Sequence, residues 1–318
     1  MQMTSKALAS IDGAGAQKPH EIYLRQFLTL AGNGESLSPR RIVRLIWGGL
    51  TSITAQPKII RLLRLQPYAQ IAQADPRFAF KYVTLEYLAH GMSTSERAAC
   101  FLWHYNRLHS TLPDLLLRDI MVGAIPVFEV CEDHDRFTIT IGMSRPANNE
   151  GEMSLSLLVN DEIVFILGFT IVPGWVVKSK PKEVLLISRI QGMRGRFDEI
   201  SLATKTLWNV APSPLLLAAM QGFAEAFGIH EFAGVSSTTH RYATDDEHAP
   251  HVESAYDGFF EALGIPRTPN GYFSSPIPMK DKPLALIKRG HKIRTKQKRA
   301  FKEEVQNAFA SFFKKQCR

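Results

Sequence analysis

The stretch Val184–Ser237 constrains the fold of this chain more than any other part of its sequence. It begins with four consecutive apolar residues, Val184 to Ile187, which predict a short strand buried on both faces. A turn rich in glycine and arginine follows at Gln191–Arg196, and two helical segments come after it. A second apolar run, Ile229–Val235, predicts a return to the sheet. The stretch is therefore predicted to form a strand, a turn, two helices and a strand.

Local signals mark the ends of the two helices. Asp198 is placed to cap the first helix, because its carboxylate can accept free backbone N–H groups of the first turn. Ser213 can cap the second helix, and Pro214 suits its first position, where no backbone N–H is needed. Gly228 predicts the end of the second helix. We therefore expect two separate helices between the two strands.

Alternation of apolar and polar residues before this stretch predicts an antiparallel meander. The alternation begins near Ile125 and recurs over Phe137–Ile141 and Met153–Leu157, and Asn160–Asp161 has the composition of a hairpin turn. The order of elements predicts an α+β or mixed α/β fold. In that fold a helical N-terminal part precedes a mostly antiparallel mixed sheet with helices packed on it.

The change from a helical period to alternation near residue 124 predicts a domain boundary. Ahead of it, Ser93-Thr94-Ser95-Glu96 forms a capping-box pattern at the start of a helix. Four regions are predicted: a flexible N-terminal arm at 1–20, a helical region at 21–123, a mixed-sheet α/β domain at 124–287 and a basic amphipathic C-terminal helix at 288–318.

The positive charge of the chain is concentrated in two amphipathic segments. The formal net charge is +8 at pH 7, yet Lys288–Arg318 has eleven basic residues against two acidic ones, and Ser38–Gln66 has six against none. An anionic membrane surface and RNA are both open as partners. The alternative is a solvated basic face on helices that pack on the body. The candidate contact residues are Arg40, Arg41, Arg44, Lys288, Arg289, Lys292, Arg294, Lys296, Lys298, Arg299 and Lys302.

The sequence favours a cytoplasmic protein, with peripheral association at the inner membrane as an open alternative. The first thirty residues contain no apolar run of signal-peptide length, and no stretch reaches the ~18 uncharged apolar residues of a membrane span. Cys100, Cys131 and Cys317 have no paired spacing, which predicts neither a disulfide framework nor a zinc site.

The turn after the central strand is the first candidate ligand site. Free backbone N–H groups before a helix, together with three guanidinium groups, can hold a phosphate or another anion. A cap by Asp198 would place a carboxylate at the same amides, so the alternative is a tight turn with solvated arginines. The candidate residues are Arg189, Gln191, Gly192, Arg194, Gly195 and Arg196.

The residues His240, Arg241 and Tyr242 form the second candidate site. They directly follow the strand predicted at Ile229–Val235. Ligands often bind beyond the carboxyl ends of strands in sheets that contain parallel pairs. The alternative for these residues is a structural, hydrogen-bonding role.

Two other histidine positions are predicted to have no catalytic or metal-binding role. His248 and His251 stand among carboxylates at Asp245–Glu247, but no helix fixes their directions, so we predict a solvated acidic loop and no metal site. His104 is a lone histidine on a mostly apolar helix, where a hydrogen-bonded core or boundary position is expected.

The central stretch resembles the GNAT superfamily of acyltransferases in outline. Those proteins also have antiparallel strands, a strand that ends in an arginine- or glutamine-rich glycine turn, a helix and a following parallel strand. The segment Arg189–Arg194 is similar to their Arg/Gln-x-x-Gly-x-Gly/Ala turn, which receives a pyrophosphate. It departs from that pattern at Arg194, where a small residue is usual, and in having two helices after the turn. The resemblance implies a coenzyme A thioester as a ligand.

A set of segments across almost the whole chain, roughly Ser38 to Lys315, resembles the VirK/YbjX family of Gram-negative bacteria. The segments are Ile190–Gly192, Ala203–Lys205, Pro214–Leu217, Gly228–Val235, Tyr256–Phe260 with Gly264, and the basic tail His291–Lys302. That family is linked to virulence, to production of a surface virulence factor, and to envelope stress or antimicrobial-peptide resistance.

The family has no established reaction, so the resemblance implies no catalytic residue. It implies an accessory protein that supports virulence and the biogenesis of the envelope or of surface virulence factors, with protein partners in that process. Two alternatives stay open beside it. One is a GNAT-like, acyl-CoA-dependent acyltransferase, and the other is a nucleic-acid-binding post-transcriptional regulator.

Overall fold

The structure, a computed structural model, describes residues 55–145, 148–243 and 253–317. The part before the sheet is helical there. It consists of α1 (Gln56–Leu62), α2 (Tyr68–Ala74), a 3-10 segment (Pro76–Val83), α3 (Thr94–Thr111) and α4 (Asp114–Val122). The predicted arm at 1–20 lies outside the described residues.

The start of α3 confirms the predicted capping box. The Ser93 hydroxyl accepts the Glu96 N–H, and the Glu96 carboxylate accepts the Ser93 N–H at 2.8 Å. These two bonds satisfy backbone donors that the helix cannot pair internally. Further along, Phe101 and Tyr105 are fully buried, and the ring of Phe78 packs on both of them. An aromatic cluster therefore joins α3 to the 3-10 segment.

The strands of the described residues form one seven-stranded sheet in chain order. Every neighbouring pair is antiparallel except β5 and β6, which are parallel. Asn160 and Asp161 form the turn between β3 and β4 with positive φ angles of 49° and 69°, which confirms the predicted hairpin. The strands are β1 (Ala124–Glu132), β2 (Asp135–Met143), β3 (Met153–Val159), β4 (Glu162–Pro173), β5 (Glu183–Gly192), β6 (Glu231–Gly234) and β7 (Phe273–Pro276).

The parallel pair requires a crossover, and two helices provide it. They are α5 (Phe197–Thr206) and α6 (Pro212–Phe227). After β6 come a π-helical turn (Glu253–Asp257) and α7 (Gly258–Ala262), and α8 (Lys292–Gln316) follows β7. The fold is thus a helical N-terminal part, a mostly antiparallel mixed sheet and helices packed on it, which confirms the predicted fold class.

The central strand is longer than predicted, and the turn after it is shorter. Gln191 and Gly192 still pair with Ile166 and Phe165 of β4, so both lie in β5 and not in the turn. The polarity of Gln191 and the presence of Gly192 predict a turn, but the ladder with β4 continues through both residues. Only Met193–Arg196 connects β5 to α5.

The predicted caps of the two crossover helices are wrong. Helix α5 has Arg196 at its N-cap position with no side-chain cap, and Asp198 lies inside the first turn, where its charge still favours the positive end of the helix. Helix α6 begins before Ser213, because Pro212 already occupies the first helical position. Gly228 ends α6 in the left-handed conformation (φ 67°), as predicted.

Helix α8 packs along α6 through a close backbone approach. A Cβ on Gly222 would lie 2.1 Å from the Gln306 carbonyl oxygen, so only glycine permits this crossing. The Phe313 ring stacks edge-on to Phe223, and the Phe301 ring packs on Phe128 of β1. Burial of each such ring contributes about 1.5–3 kcal/mol. The apolar side of α8 is therefore part of the core.

One continuous hydrophobic core includes residues from the N-terminal helices, the sheet and α8. Helix α3 lies against β4, and α4 lies against β1 and β2. The transition from helices to strands falls at Gly123, between α4 and β1. The four predicted regions stay a prediction, since a shared core joins the helical part to the sheet.

Candidate functional site

The parallel strands β5 and β6 separate shortly after they pair. Their ladder covers Leu185 to Ile187, and its last bond runs from the Val235 N–H to the Ile187 carbonyl at 3.0 Å. Further along β5, the Ile190 N–H points away from β4 and meets the Tyr256 hydroxyl oxygen at 3.5 Å. A side chain, and not a neighbouring strand, therefore faces this part of β5.

Tyr256 brings the two predicted sites together. Its phenol is buried, and its ring lies 4.4 Å from the His240 ring. Burial raises the pKa of Tyr256, the negative charge of Glu150 raises it further, and the Ile190 N–H, Arg189 and Arg241 act in the opposite direction. Arg189 belongs to the first predicted site and His240 and Arg241 to the second, so both lie around one phenol.

The position of Tyr256 is fixed by the residue that follows it. The Asp257 carboxylate accepts the Ser237 N–H at 2.7 Å and the Ser237 hydroxyl at 2.6 Å. Arg267 lies 3.6 Å from the same carboxylate. These bonds connect the π-helical turn to the loop after β6, and they hold the Tyr256 phenol over the diverging end of β5.

The His240 ring is buried and both of its nitrogens are engaged. Nδ1 accepts the Tyr242 N–H at 3.3 Å, so the neutral ring carries its proton on Nε2. That N–H points at Glu150 Oε1, 3.2 Å away. Glu150 retains a second oxygen, and its side chain is 16% exposed. His240 therefore orients Glu150, and among the described residues no hydrogen bond is made to the second carboxylate oxygen, which is the acceptor left at this site.

Two glycines allow the chain to carry Glu150 close against the sheet. Gly151 has a φ of 106°, which side-chain-bearing residues rarely adopt. A Cβ on Gly168 of β4 would lie 2.5 Å from the Glu150 carbonyl oxygen and 2.9 Å from the Arg189 Cβ. Glu150 and Arg189 thus approach each other across a strand that has no side chain at this position.

The same connection is anchored on its other side by a buried ion pair. Glu152 Oε2 lies 2.9 Å from Lys81 Nζ, and both side chains are almost completely buried. Tyr105 donates its hydroxyl to the same oxygen. Burial raises the pKa of Glu152, but Lys81, His104 and the hydroxyls of Tyr105 and Tyr87 together hold it below its usual value. The pair links the N-terminal helices to the start of β3.

His104 occupies the hydrogen-bonded core position that its sequence context predicts. It is fully buried, and its Nδ1 accepts the Ile171 N–H of β4 at 3.1 Å. Burial lowers its pKa to about 4, with Glu152 opposing and Lys81 adding to the shift. Its Nε2 has no hydrogen-bond partner among the described residues. His104 therefore joins α3 to β4 as a neutral ring.

The arginines predicted to bind an anion differ in their contacts with other side chains. Arg196 is held by Glu162 and Glu199, each at 2.8 Å, and the Arg189 guanidinium donates to the Gln191 side-chain oxygen at 2.9–3.1 Å. Arg194 is exposed, and no ion pair to it occurs in the described parts of the chain. Gly195 gives the turn a positive φ of 78°. Arg194 is thus the side chain available to a ligand here.

The second predicted group has its own polar contacts. Arg241 donates to Glu86 at 2.7 Å and stacks on the Tyr242 ring, with 4.6 Å from its guanidinium carbon to the ring centre. In the sequence, Glu150 and Tyr256 lie about ninety and fifteen residues from His240. Glu150 belongs to no motif, and Tyr256 belongs to a segment of the family resemblance that implies no role for it, so neither was predicted as a site residue.

The basic surface predicted from the sequence is described only at its C-terminal part. Arg40, Arg41 and Arg44 lie outside the described residues. Arg299 and Lys302 contact Asp281 at 3.1 Å and 3.7 Å. The remaining basic residues of the group carry no ion pair within the described ranges and are exposed or half-buried. They are Lys288, Arg289, Lys292, Arg294, Lys296 and Lys298.

Metal and membrane-spanning features are absent from the described residues. These residues hold no cluster of three or more metal-ligand side chains, and His248 and His251 lie outside them. No described helix has the length and apolarity to cross a membrane. A cleft of about 630 Å³ lies between α1 and α3, against Trp103 and Trp175. The wall of the cleft includes Ala55, where the described residues begin, so the structure describes the cleft only in part and we assign it no function.

The fold and this site define a mixed α+β protein with a half-buried carboxylate and a buried imidazole and phenol beside two diverging parallel strands. Residues 41–311 match the family described as "Protein of unknown function (DUF535)". The chain therefore belongs to DUF535, which is the VirK/YbjX family. No curated protein and no solved structure matches it.

Proposed function

We propose that this DUF535 protein supports the biogenesis of the envelope or of a surface virulence factor in a Gram-negative bacterium. We further propose that it does so as an enzyme that transfers an acyl group from a thioester. The biological part rests on the family, and the chemical part rests on one observation. That observation is that Glu150 and Tyr256 both contact the His240 ring at the end of a parallel strand pair.

The two groups have complementary proton chemistry. Glu150 has a second oxygen with no hydrogen-bond partner among the described residues, which can accept a proton, and His240 fixes the orientation of the carboxylate. Tyr256 accepts the Ile190 N–H, so its own proton is left to donate to the departing group. A base and an acid on either side of a reacting carbonyl are what acyl transfer to a hydroxyl or an amine requires.

The proposed step moves two protons and exchanges one bond. Glu150 takes the proton of the acceptor hydroxyl or amine, and the acceptor atom bonds to the thioester carbonyl carbon. The carbon–sulfur bond breaks, and Tyr256 gives its phenolic proton to the departing sulfur. Tyr256 then regains a proton from water, and Glu150 releases the one that it took, so no oxidant or reductant is needed.

The residues around β5 fit the donor that the GNAT resemblance implies, a coenzyme A thioester. The Ile190 N–H faces the divergence with only a long contact to Tyr256, and the buried Ser188 hydroxyl has no partner among the described residues. An amide-bearing chain can bond such groups as an added strand would. Arg194, exposed and unpaired as described above, is the contact we propose for phosphate.

Carboxylates at the start of α5 limit how a phosphate can bind. Asp198 and Glu199 occupy the first turn, and both carry the charge that phosphate carries. The helix amides are therefore poor phosphate contacts here. Arg194 is therefore decisive for donor binding, while Glu150 and Tyr256 act on the chemistry. Binding and turnover should consequently separate by mutation.

The binding test uses acetyl-, octanoyl- and palmitoyl-coenzyme A with the full-length protein. We expect at least one thioester to raise Tm in a thermal-shift assay, and Arg194→Ala to abolish the rise. Arg118→Ala is the matched control, because Arg118 is exposed on α4 and has no role in the site. Absence of a shift with all three thioesters and with free coenzyme A would count decisively against the donor.

The turnover test uses Tyr256→Phe, which keeps the aromatic ring, and Glu150→Gln, which keeps the size and shape of the side chain. With an envelope extract as the acceptor pool, thiol release should fall by about 10² or more in each variant. The Tm shift by the thioester should persist. Tyr272→Phe, which alters another buried tyrosine, is the control. Equal thiol release by Tyr256→Phe and the unmodified protein would refute the assigned roles.

The biological part has its own measurement. Deletion of the gene should increase sensitivity to a cationic antimicrobial peptide, and the intact gene should restore resistance. A copy with Glu150→Gln should fail to restore it. Full restoration by that copy would contradict the enzymatic route while leaving the accessory role intact.

A further inference from the structure

Two large aliphatic side chains are exposed in the first turn of α8 and just before it, whereas most large apolar side chains later in that helix are buried. Leu286 is 65% exposed and Ile293 is 74% exposed. By contrast, Phe301, Phe309 and Phe313 of the same helix are at most 5% exposed, because they pack on α6 and β1. The most exposed aliphatic side chains near α8 therefore lie in its first turns and in the segment before it.

Helical spacing places Ile293 on one outer face of α8 together with three other exposed residues. Ile293, Lys296, Gln297 and Ala300 are separated by three, four and seven residues, and all four are exposed. Glu303 and Glu304 are the next exposed side chains along the helix, and they end the basic stretch. The segment from Leu284 to Ala300 is called the basic-aliphatic surface below.

Basic residues surround the two aliphatic side chains. Within the described residues, Lys288, Arg289, Lys292, Arg294, Lys296 and Lys298 take part in no ion pair, whereas Arg299 and Lys302 share Asp281. The partial burial of Lys298 and the nearby charges of Arg294 and Lys302 lower its pKa. Crowding of like charge is costly, and an anionic surface would relieve that repulsion.

We propose that the basic-aliphatic surface docks the protein on an anionic lipid bilayer. Its cations contact the headgroup phosphates, and Leu286 and Ile293 enter the boundary between headgroups and acyl chains. This composition favours lipid over RNA. Sequence-tolerant binding of single-stranded RNA relies mainly on bases stacking on phenylalanine, tyrosine and tryptophan. The sequence from Leu284 to Ala300 contains none of the three. The proposal is independent of the acyl-transfer chemistry.

Flotation of the full-length protein with vesicles tests the proposal. We expect binding to vesicles of phosphatidylcholine with 30% phosphatidylglycerol at 50 mM NaCl, and at least tenfold weaker binding to pure phosphatidylcholine or at 500 mM NaCl. Leu286→Ser/Ile293→Ser should weaken binding at least tenfold without changing charge. Because both side chains are exposed, this variant should fold, which its Tm verifies.

A matched pair of charge variants locates the surface. Lys292→Gln/Lys296→Gln should weaken flotation at least tenfold. Lys314→Gln/Lys315→Gln removes the same charge from the last turn of the same helix and should change flotation less than twofold. Equal effects of the two variants would overturn the assignment, because they would show attraction by net charge alone.

The RNA alternative is measured with the same proteins. A fluorescent single-stranded 20-mer is titrated, and we expect weak binding that Leu286→Ser/Ile293→Ser does not alter. Failure of the unmodified protein to float at 50 mM NaCl overturns the proposal. Flotation that survives Leu286→Ser/Ile293→Ser also overturns it, and tight RNA binding in that case assigns the surface to nucleic acid.

Discussion

Protonation of His104 should control how stability changes between neutral and mildly acidic pH. The ring is fully buried, accepts the Ile171 N–H, and has a pKa lowered by burial to about 4 from an ordinary value of 6.5. Between these values the unfolded chain binds a proton that the folded protein does not. The free energy of unfolding therefore falls as the pH drops from 6.5 towards 4. Above pH 6.5 the ring is neutral in both states, so the protein keeps its full stability there.

The size of the effect follows from the difference in pKa. Each unit corresponds to about 1.4 kcal/mol, so the folded protein should lose about 3 kcal/mol across this window. That is a large part of the 5–15 kcal/mol typical of a folded protein. The groups that face the ring are Glu152, which opposes the shift, and Lys81, which adds to it. The pKa of Glu152 is also lowered, so its contribution to stability is lost only as the pH falls below its ordinary value of 4.5.

The matched variant is His104→Asn, whose side-chain oxygen can still accept the Ile171 N–H but does not titrate. Urea unfolding, followed by circular dichroism at pH 7, 6, 5 and 4, gives the free energy of unfolding of both proteins. We expect the advantage of the unmodified protein to shrink by about 3 kcal/mol from pH 7 to pH 4. Parallel pH profiles would refute the reasoning, because they would show that Glu152 stabilises a charged ring.

Two further predictions concern packing and the buried ion pair. Lys81→Met leaves Glu152 buried without its cation and should lower the free energy of unfolding, measured in urea, by about 3–5 kcal/mol. The double variant Lys81→Met/Glu152→Gln should lower it by less than the single change. An equal loss in the two variants would contradict the pairing. Gly222→Ala places a Cβ 2.1 Å from the Gln306 carbonyl oxygen and should cost about 1–3 kcal/mol in thermal unfolding, whereas Gly258→Ala, with open space around it, should be close to neutral.

Local signals in the sequence were sufficient for most of the fold. Ser93 and Glu96 mark a helix start through bonds that span only three residues, and Asn160–Asp161 marks a hairpin through its backbone angles. The predicted end of β5 is wrong, because the polarity of Gln191 indicates a turn. The strand conformation of Gln191 depends on its partner Ile166, which no local pattern identifies.

The candidate site was only half predictable, because its polar groups meet across long separations. The position of His240 after a strand pointed to a site, and the strand-end rule needs only the order of elements. Glu150 lies in a connection between strands, and its pairing with His240 depends on Gly151 and Gly168 bringing backbones together. The burial of Glu152 likewise depends on Lys81, which is 71 residues away.

The position of α8 has a consequence for how the chain folds during synthesis. Its Phe301 packs on β1, and its Phe313 packs on α6, so the last described helix completes a core that begins at the first strand. Ribosomes add ~5–20 residues per second, so the whole sheet is synthesised seconds before α8, which packs on it. During that interval Phe128 and Phe223 lack their final partners. Such non-local contacts slow folding, and we expect nascent chains that end before Lys292 to bind chaperones.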